Sequence, residues 1–167
     1  QMCIRDRPWK TRMNVFVMDM NTNKEERLTS SEARGIYGFT WLTDKRIGYV
    51  KDDGGNENMH FYAVNIDGTN EMDLTPFDNI QARIIDDLED DQNHVIIGLN
   101  KRNPQIHDPY RVNINDGTME MIAENPGNIS GWGTDHNGKL RIATTSDGVN
   151  TSLLFRETES DKFKPIL

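Results

Sequence analysis

The chain repeats itself, and this repeat constrains the fold more than any other feature of the sequence. Tyr62–Gly68 reads Tyr-Ala-Val-Asn-Ile-Asp-Gly, and Tyr110–Gly117 reads Tyr-Arg-Val-Asn-Ile-Asn-Asp-Gly. Each leads through a polar turn into a second short strand. Related hairpins begin at Phe16 and Leu154, so that the four anchor residues follow one another at intervals of 46, 48 and 44 residues. A period of about 45 residues built from short strands is typical of β-propeller blades.

A second recurring unit lies between those hairpins and completes the period. It consists of a strand rich in glycine or aromatic residues, a polar turn and a strand rich in β-branched residues. Its copies are Gly38–Trp41 with Ile47–Val50, Ala82–Ile85 with Val95–Leu99, and Gly131–Trp132 with Leu140–Ala143. Each period therefore holds four strands. The sequence predicts an all-β chain, a partial β-propeller with about three to four blades of four-stranded antiparallel sheet.

Residues 13–167 are predicted to form one incomplete propeller domain. Its blades are expected at about 14–29, 38–75, 81–123 and 129–167, and the first of these is only the outer half of a blade. Residues 1–12 lack the alternating pattern, so we expect a scar or a disordered end there, and the sequence leaves open whether they are native. An incomplete stack of blades exposes strand edges, and the isolated chain is therefore expected to associate with itself.

A helix through residues 86–93 is the one alternative to strands that the sequence offers. Ile84, Leu88, Val95 and Leu99 have partial helical spacing. The residues Asp-Gln-Asn at 91–93 are typical of a turn, however, and the repeat places strands on both sides. The repeat favours a loop.

Composition excludes several classes of function. The net charge is −8, with 19 basic residues against 27 acidic ones, so nucleic acid is not an expected partner. No apolar run approaches the roughly 20 residues of a membrane span, and no membrane partner is expected. Cys3 is the single cysteine, which excludes an internal disulfide and a thiolate metal cluster. The compartment stays open between periplasm and cytoplasm.

No residue is assigned a catalytic, cofactor-binding or metal-binding role, and no cofactor is expected. A serine-hydrolase nucleophile would show the pattern Gly-x-Ser-x-Gly, which the sequence lacks. Ser130, between Ile129 and Gly131, does not meet that test. The four histidines stand alone, without a pattern that presents two metal ligands on one face. They are His60, His94, His107 and His136.

Two acidic clusters and two tryptophans are candidate binding features. The five carboxylates of Asp86–Asp91 could bind calcium or a cationic end of a substrate, but a solvated loop explains them better. The segment Asp52–Glu57 contains paired glycines and is interpreted as a turn between strands. Trp41 and Trp132 occupy equivalent places in two repeats, which favours packing between blades over a ligand platform.

Six stretches of the blades carry a likeness to a known family: Gly38–Trp41, Tyr49–Asn58, Phe61–Val64, Asp73–Phe77, Ala82–Asp86 and Glu124–Gly127. In these stretches the sequence resembles the N-terminal propeller of bacterial prolyl oligopeptidase family serine peptidases, of the dipeptidyl or acylaminoacyl peptidase kind. The resemblance runs from about Asn14 to Leu154 and is most specific between Tyr49 and Ile85.

This resemblance implies that the chain is a fragment. The parent would carry a C-terminal α/β-hydrolase domain with a Ser-Asp-His triad, and the propeller would filter peptide substrates at the entry. No triad residue of the family maps onto this chain, nor does the acid pair that holds a substrate N-terminus, so the chain alone is expected to lack peptidase activity. The alternative is a propeller module without catalysis that binds a protein partner. Peptide specificity, oligomeric state and the blade numbers are left open.

Overall fold

The computed structural model describes residues 1–52 and 54–166, in which fifteen strands form four antiparallel sheets. The all-β fold class is confirmed. A search of these residues for helices long and apolar enough to cross a membrane finds none. Backbone contacts divide the chain into two compact units, residues 1–82 and 83–167, which are described in turn.

The first unit contains two sheets in which neighbours in the chain are also neighbours in the sheet. The first sheet consists of β1 (Met2–Trp9), β2 (Arg12–Asp19) and β3 (Glu25–Arg27). The second consists of β4 (Gly38–Thr43), β5 (Arg46–Asp52), β6 (Met59–Asn65) and β7 (Met72–Asp73). A turn at 54–56 lies between β5 and β6, as interpreted for Asp52–Glu57, but Asp52 itself is the last residue of β5 and Asp53 lies outside the described residues.

The core of the first unit joins its two sheets. Val15 of the first sheet and Ile47, Tyr49 and Val64 of the second are almost fully buried in one cluster. Each such side chain contributes about 1.5–3 kcal/mol by leaving water. Trp41 is partly buried against this cluster, which confirms that it packs in the core.

The N-terminal residues differ from the expectation of a scar or a disordered end. β1 pairs with β2 at all eight of its positions, from Met2 opposite Asp19 to Trp9 opposite Arg12. Lys10 and Thr11 both have positive φ, 47° and 70°, as a tight two-residue hairpin requires. The sequence hides this strand because its side chains are mostly exposed and do not alternate between apolar and polar, so that backbone pairing holds it. The first sheet thus has three strands rather than two.

The second unit also contains two sheets, each with its strands in chain order. One consists of β8 (Ala82–Asp86), β9 (His94–Asn103), β10 (Ile106–Asn113) and β11 (Met119–Met121). The other consists of β12 (Ile129–Thr134), β13 (Leu140–Ser146), β14 (Thr151–Phe155) and β15 (Lys164–Pro165). Residues 87–93 form a loop and not a helix. Trp132 packs on Phe163 with ring centroids 5.7 Å apart.

The repeat holds at the level of single residues. Every anchor residue pairs with the residue eleven positions further along, on the outermost strand of its own sheet. The four pairs are Phe16 with Arg27, Tyr62 with Asp73, Tyr110 with Met121, and Leu154 with Pro165. Four sheets that share this outer register repeat one blade design, which confirms the partial propeller.

In two of the sheets, a buried threonine that follows the outermost strand accepts a hydrogen bond from a backbone N–H of the neighbouring strand. The backbone N–H of Val15 donates to Thr29 Oγ1, and that of Phe61 donates to Thr75 Oγ1, both at 2.9 Å. Both threonines are almost completely buried. Because a buried N–H without a partner is costly, these hydroxyls stabilise the blades.

Candidate functional site

The acidic run Asp86–Asp91 forms one wall of a cleft in the second unit. The turn 135–139 between β12 and β13 forms the other wall, and the cleft has a volume of about 620 Å³. Leu88 fixes the two walls together. Its side chain is buried, its φ is 54°, and a Cβ on Gly138 would lie 2.6 Å from its Cδ2. The glycine is therefore required by contact as well as by its own φ of 66°.

Two of the five carboxylates in the acidic run hold the loop itself. Asp86 accepts hydrogen bonds from the Thr134 hydroxyl and from the N–H of Leu88. Asp91 accepts from the N–H of Asn93 at 2.8 Å and contacts His94 Nδ1 at 3.0 Å. Burial opposes ionisation of Asp91, but these hydrogen bonds outweigh it and hold its pKa below the usual value.

The remaining acidic side chains do not assemble a metal site. Glu89 and Asp90 are exposed to solvent. Within residues 1–52 and 54–166, no three His, Cys, Asp or Glu side chains lie where they could hold a metal ion.

A buried carboxylate lies at the end of β5, before the turn at 54–56. The side chain of Asp52 has no exposed surface, and neither of its oxygens has a hydrogen-bond partner in the described part of the chain. Arg34 Nε lies 3.8 Å from Asp52 Oδ2, and the Arg34 side chain is 48% exposed. Gly55, with a φ of 95°, lies against the guanidinium, since a Cβ there would be 2.9 Å from Arg34 Nε.

A second arginine–aspartate pair, in the second unit, is joined by two direct hydrogen bonds. Arg102 Nε and Nη2 donate to the two oxygens of Asp108 at 2.9 and 3.1 Å. Arg102 Nη2 also donates to the Asn125 carbonyl at 2.8 Å, and the Asn125 N–H donates to Asp108 at 2.7 Å. The bond to buried Asp108 raises the pKa of Arg102. This pair ties β9 to β10 and to the segment after β11.

Aromatic and charged side chains form a further cluster on the second sheet of the first unit. The rings of Tyr49 and Tyr62 stack with centroids 5.3 Å apart, and Lys51 Nζ lies 4.4 Å from the Tyr62 ring centroid. The Tyr49 hydroxyl donates to Glu71. Burial raises the pKa of Tyr49, and the hydrogen bond to Glu71 raises it further. Sequence reasoning missed this cluster and the Arg34–Asp52 pair, because their members are far apart in the chain.

Histidine–carboxylate pairs are present, but serines do not complete them. His60 Nδ1 lies 2.7 Å from Asp73 Oδ2, and His94 pairs with Asp91. The Ser130 hydroxyl donates to a backbone carbonyl of β13 at 3.2 Å. None of the hydrogen bonds that the structure shows for the described serines goes to a histidine, and no catalytic triad is formed among them.

The four blades identify the chain as a segment of a β-propeller. No family model matches the chain. Dipeptidyl aminopeptidase BIII of Pseudoxanthomonas mexicana is 29% identical over 136 residues, which cover 80% of this chain and 20% of that protein. A Tricorn-like protease N-terminal subunit of Sulfurisphaera tokodaii is 30% identical over 119 residues, which cover 68% of this chain and 58% of the relative.

Solved structures agree with the fold. The β-propeller domain of the Trilobed protease from Pyrococcus furiosus superimposes with a TM-score of 0.59 and 14% identity, over 98% of this chain and 52% of the other. The chain is thus a propeller segment related to peptidases, and the resemblance seen in the sequence is confirmed. It spans about a fifth of dipeptidyl aminopeptidase BIII and little more than half of the Tricorn-like subunit.

Proposed function

We propose that the chain is the substrate-gating propeller segment of a serine peptidase that cleaves short peptides. The catalytic α/β-hydrolase domain would lie outside these residues in the same parent chain. The observation that carries the proposal is the 29% identity with dipeptidyl aminopeptidase BIII over 136 residues. The partners are then the hydrolase domain and the peptides that pass the propeller.

The blades suit a gate because they combine rigid sheets with varied, charged turns. The outer hairpins of all four sheets share one register, so they form a constant frame. The loops differ in chemistry. Residues 86–91 and 135–139 line an acidic cleft, whereas the half-exposed guanidinium of Arg34 lies near the buried carboxylate of Asp52. Loops held on a rigid scaffold are where proteins place their recognition groups.

The test uses the full parent protein and a series of peptides that share one cleavage site. A fluorophosphonate should label one serine, and kcat/KM should fall steeply as peptide length increases from about 5 to about 40 residues, because a gate excludes by size. A folded protein should not be cut. Uniform kcat/KM across the series would refute the gate, and absence of both labelling and hydrolysis would refute the peptidase. The latter outcome would favour a protein-binding propeller.

A further inference from the structure

We propose that an arginine-rich face of the first sheet binds the acidic run Asp86–Asp91 of a second copy of this chain. The arginine face carries Arg5, Arg7 and Trp9 of β1, Arg12 and Phe16 of β2, and Glu25 and Arg27 of β3. They share one face because residues opposite one another in an antiparallel pair lie on the same side of the sheet. The inference does not depend on the proposed peptidase function.

The arginine face is the side of the sheet that points away from the core of the first unit. Ile4 packs against that core, and Val15 belongs to it. Successive side chains of a strand point to opposite sides, so Arg5 and Phe16 point away from the core. The side chains of Arg5 and Arg7 are 50% and 49% exposed. A partner can therefore reach their guanidinium groups.

Positive charge dominates this face, because its four arginines share one carboxylate among the residues of β1–β3. Arg5 Nε donates to Glu25 Oε1 at 2.7 Å, and Arg7 donates to the other oxygen. Arg27 instead lies over an aromatic ring, with its Cζ 3.7 Å from the ring centroid of Trp9. A cation–π contact holds a guanidinium in place without removing its charge. The face is thus charged and partly ordered before a partner binds.

The rest of the chain has the opposite charge. Residues 1–27 contain six basic and four acidic residues, a net charge of +2, whereas residues 28–167 contain 13 basic and 23 acidic residues, a net charge of −10. The acidic run Asp86–Asp91 holds five carboxylates, and Glu89 and Asp90 are exposed in it. A basic face on an otherwise acidic chain is complementary to another copy of that chain, and opposite potentials steer the two together.

The contact joins two different surfaces, so it is heterologous. When two copies bind, one arginine face and one acidic run stay free, and further copies add until a ring closes or a filament grows. Two arginine faces repel one another, which disfavours a symmetric pair through this face. Association should therefore continue beyond the dimer.

Sedimentation velocity of the 167-residue chain at several concentrations tests the association. At about 0.01 M salt, where charges act over about 30 Å, the weight-average mass should increase with concentration beyond that of a dimer. At about 1 M salt, where the range is about 3 Å, the mass should return to that of the monomer. Exposed strand edges offer another route to association, which salt does not screen because it rests on backbone hydrogen bonds. A monomer in low salt, or association that persists in high salt, would overturn the proposal.

Arg12→Glu reverses one charge of the arginine face at an exposed side chain for which the described part of the chain shows no ion pair. It should weaken association about tenfold at low salt, because like charges then face one another. Lys45→Glu is the matched control, since it makes the same change in net charge at an exposed lysine of the first unit outside the arginine face. The control should associate as the wild type does. Equal effects of the two variants would show repulsion by net charge alone and contradict the proposal.

The double variant Glu89→Lys/Asp90→Lys tests the acidic run at two exposed side chains. It should lose association by itself. Mixed in equal amounts, the double variant and Arg12→Glu should associate again, since the former keeps the intact arginine face and the latter the intact acidic run. Circular dichroism of each variant establishes that it is folded. Wild-type association of the double variant, or a mixture of folded variants that stays monomeric, would refute the pairing of these two surfaces.

Discussion

Replacement of Thr75 by valine isolates the contribution of one buried hydroxyl to the blade. Thr75 and Phe61 are both fully buried, and Thr75 Oγ1 accepts the Phe61 N–H at 2.9 Å. Valine has nearly the same shape, so packing is preserved while the N–H loses its acceptor. An unsatisfied buried donor costs about 1–3 kcal/mol. For a chain of this length, a loss of about 2 kcal/mol lowers Tm by about 4–8 °C.

Urea unfolding followed by tryptophan fluorescence measures the loss, and hydrogen exchange of the Phe61 amide locates it. Thr75→Ser is the control, since it keeps the oxygen and removes a methyl group worth about 1 kcal/mol. The Phe61 amide should stay protected in the serine variant and exchange faster in the valine variant. Thr29→Val should have the same effect on the Val15 amide. The reasoning is refuted if the valine variant is as stable as the wild type with its Phe61 amide still protected.

Two further predictions concern a close contact and a turn. Gly48→Ala should lower the free energy of unfolding by about 1–3 kcal/mol, because its Cβ would lie 2.5 Å from Phe61 Cζ. Gly38→Ala is the control, since its Cβ would meet nothing within 4 Å. It should change the free energy of unfolding by less than about 0.5 kcal/mol. Asp147 should titrate near its pKa of about 2 by carboxyl carbon NMR, since the N–H groups of Asn150 and Val149 stabilise its anion. Its pKa is lowered on folding, so the stability it contributes is present above about pH 4 and is lost as the pH falls to about 2. A midpoint near 4 for Asp147, or equal effects of the two glycine variants, would contradict these assignments.

The fold could be predicted from the sequence because the repeat fixes it many times over. The near-identical text at Tyr62 and Tyr110 places the same hairpin twice, and the structure pairs both anchors with the residue eleven positions on. The strand at Met2–Trp9 could not be predicted, because its apolar and polar side chains do not alternate and its partner supplies the pairing. Backbone hydrogen bonds do not depend on which side chains are present, so the composition of a strand does not reveal them.

The candidate site could be predicted only where it is local in sequence. The acidic run 86–91 was found because its charges are adjacent in the chain. The contact of Arg34 with Asp52 joins residues eighteen positions apart across a loop, and no spacing rule connects them. The buried state of Asp52 was equally hidden, since an aspartate beside paired glycines reads as an exposed turn.

The register of the blades shows which hairpins differ in length between sheets and which do not. Between anchor and outermost strand the interval is the same in all four sheets, while toward the preceding strand the anchors Tyr62 and Tyr110 pair across thirteen positions and Leu154 across eleven. The hairpin before the anchor therefore differs in length between sheets, whereas the hairpin after it does not. An engineer who grafts a new recognition loop into this chain should lengthen the hairpin after Asp52 and leave the outer hairpins untouched.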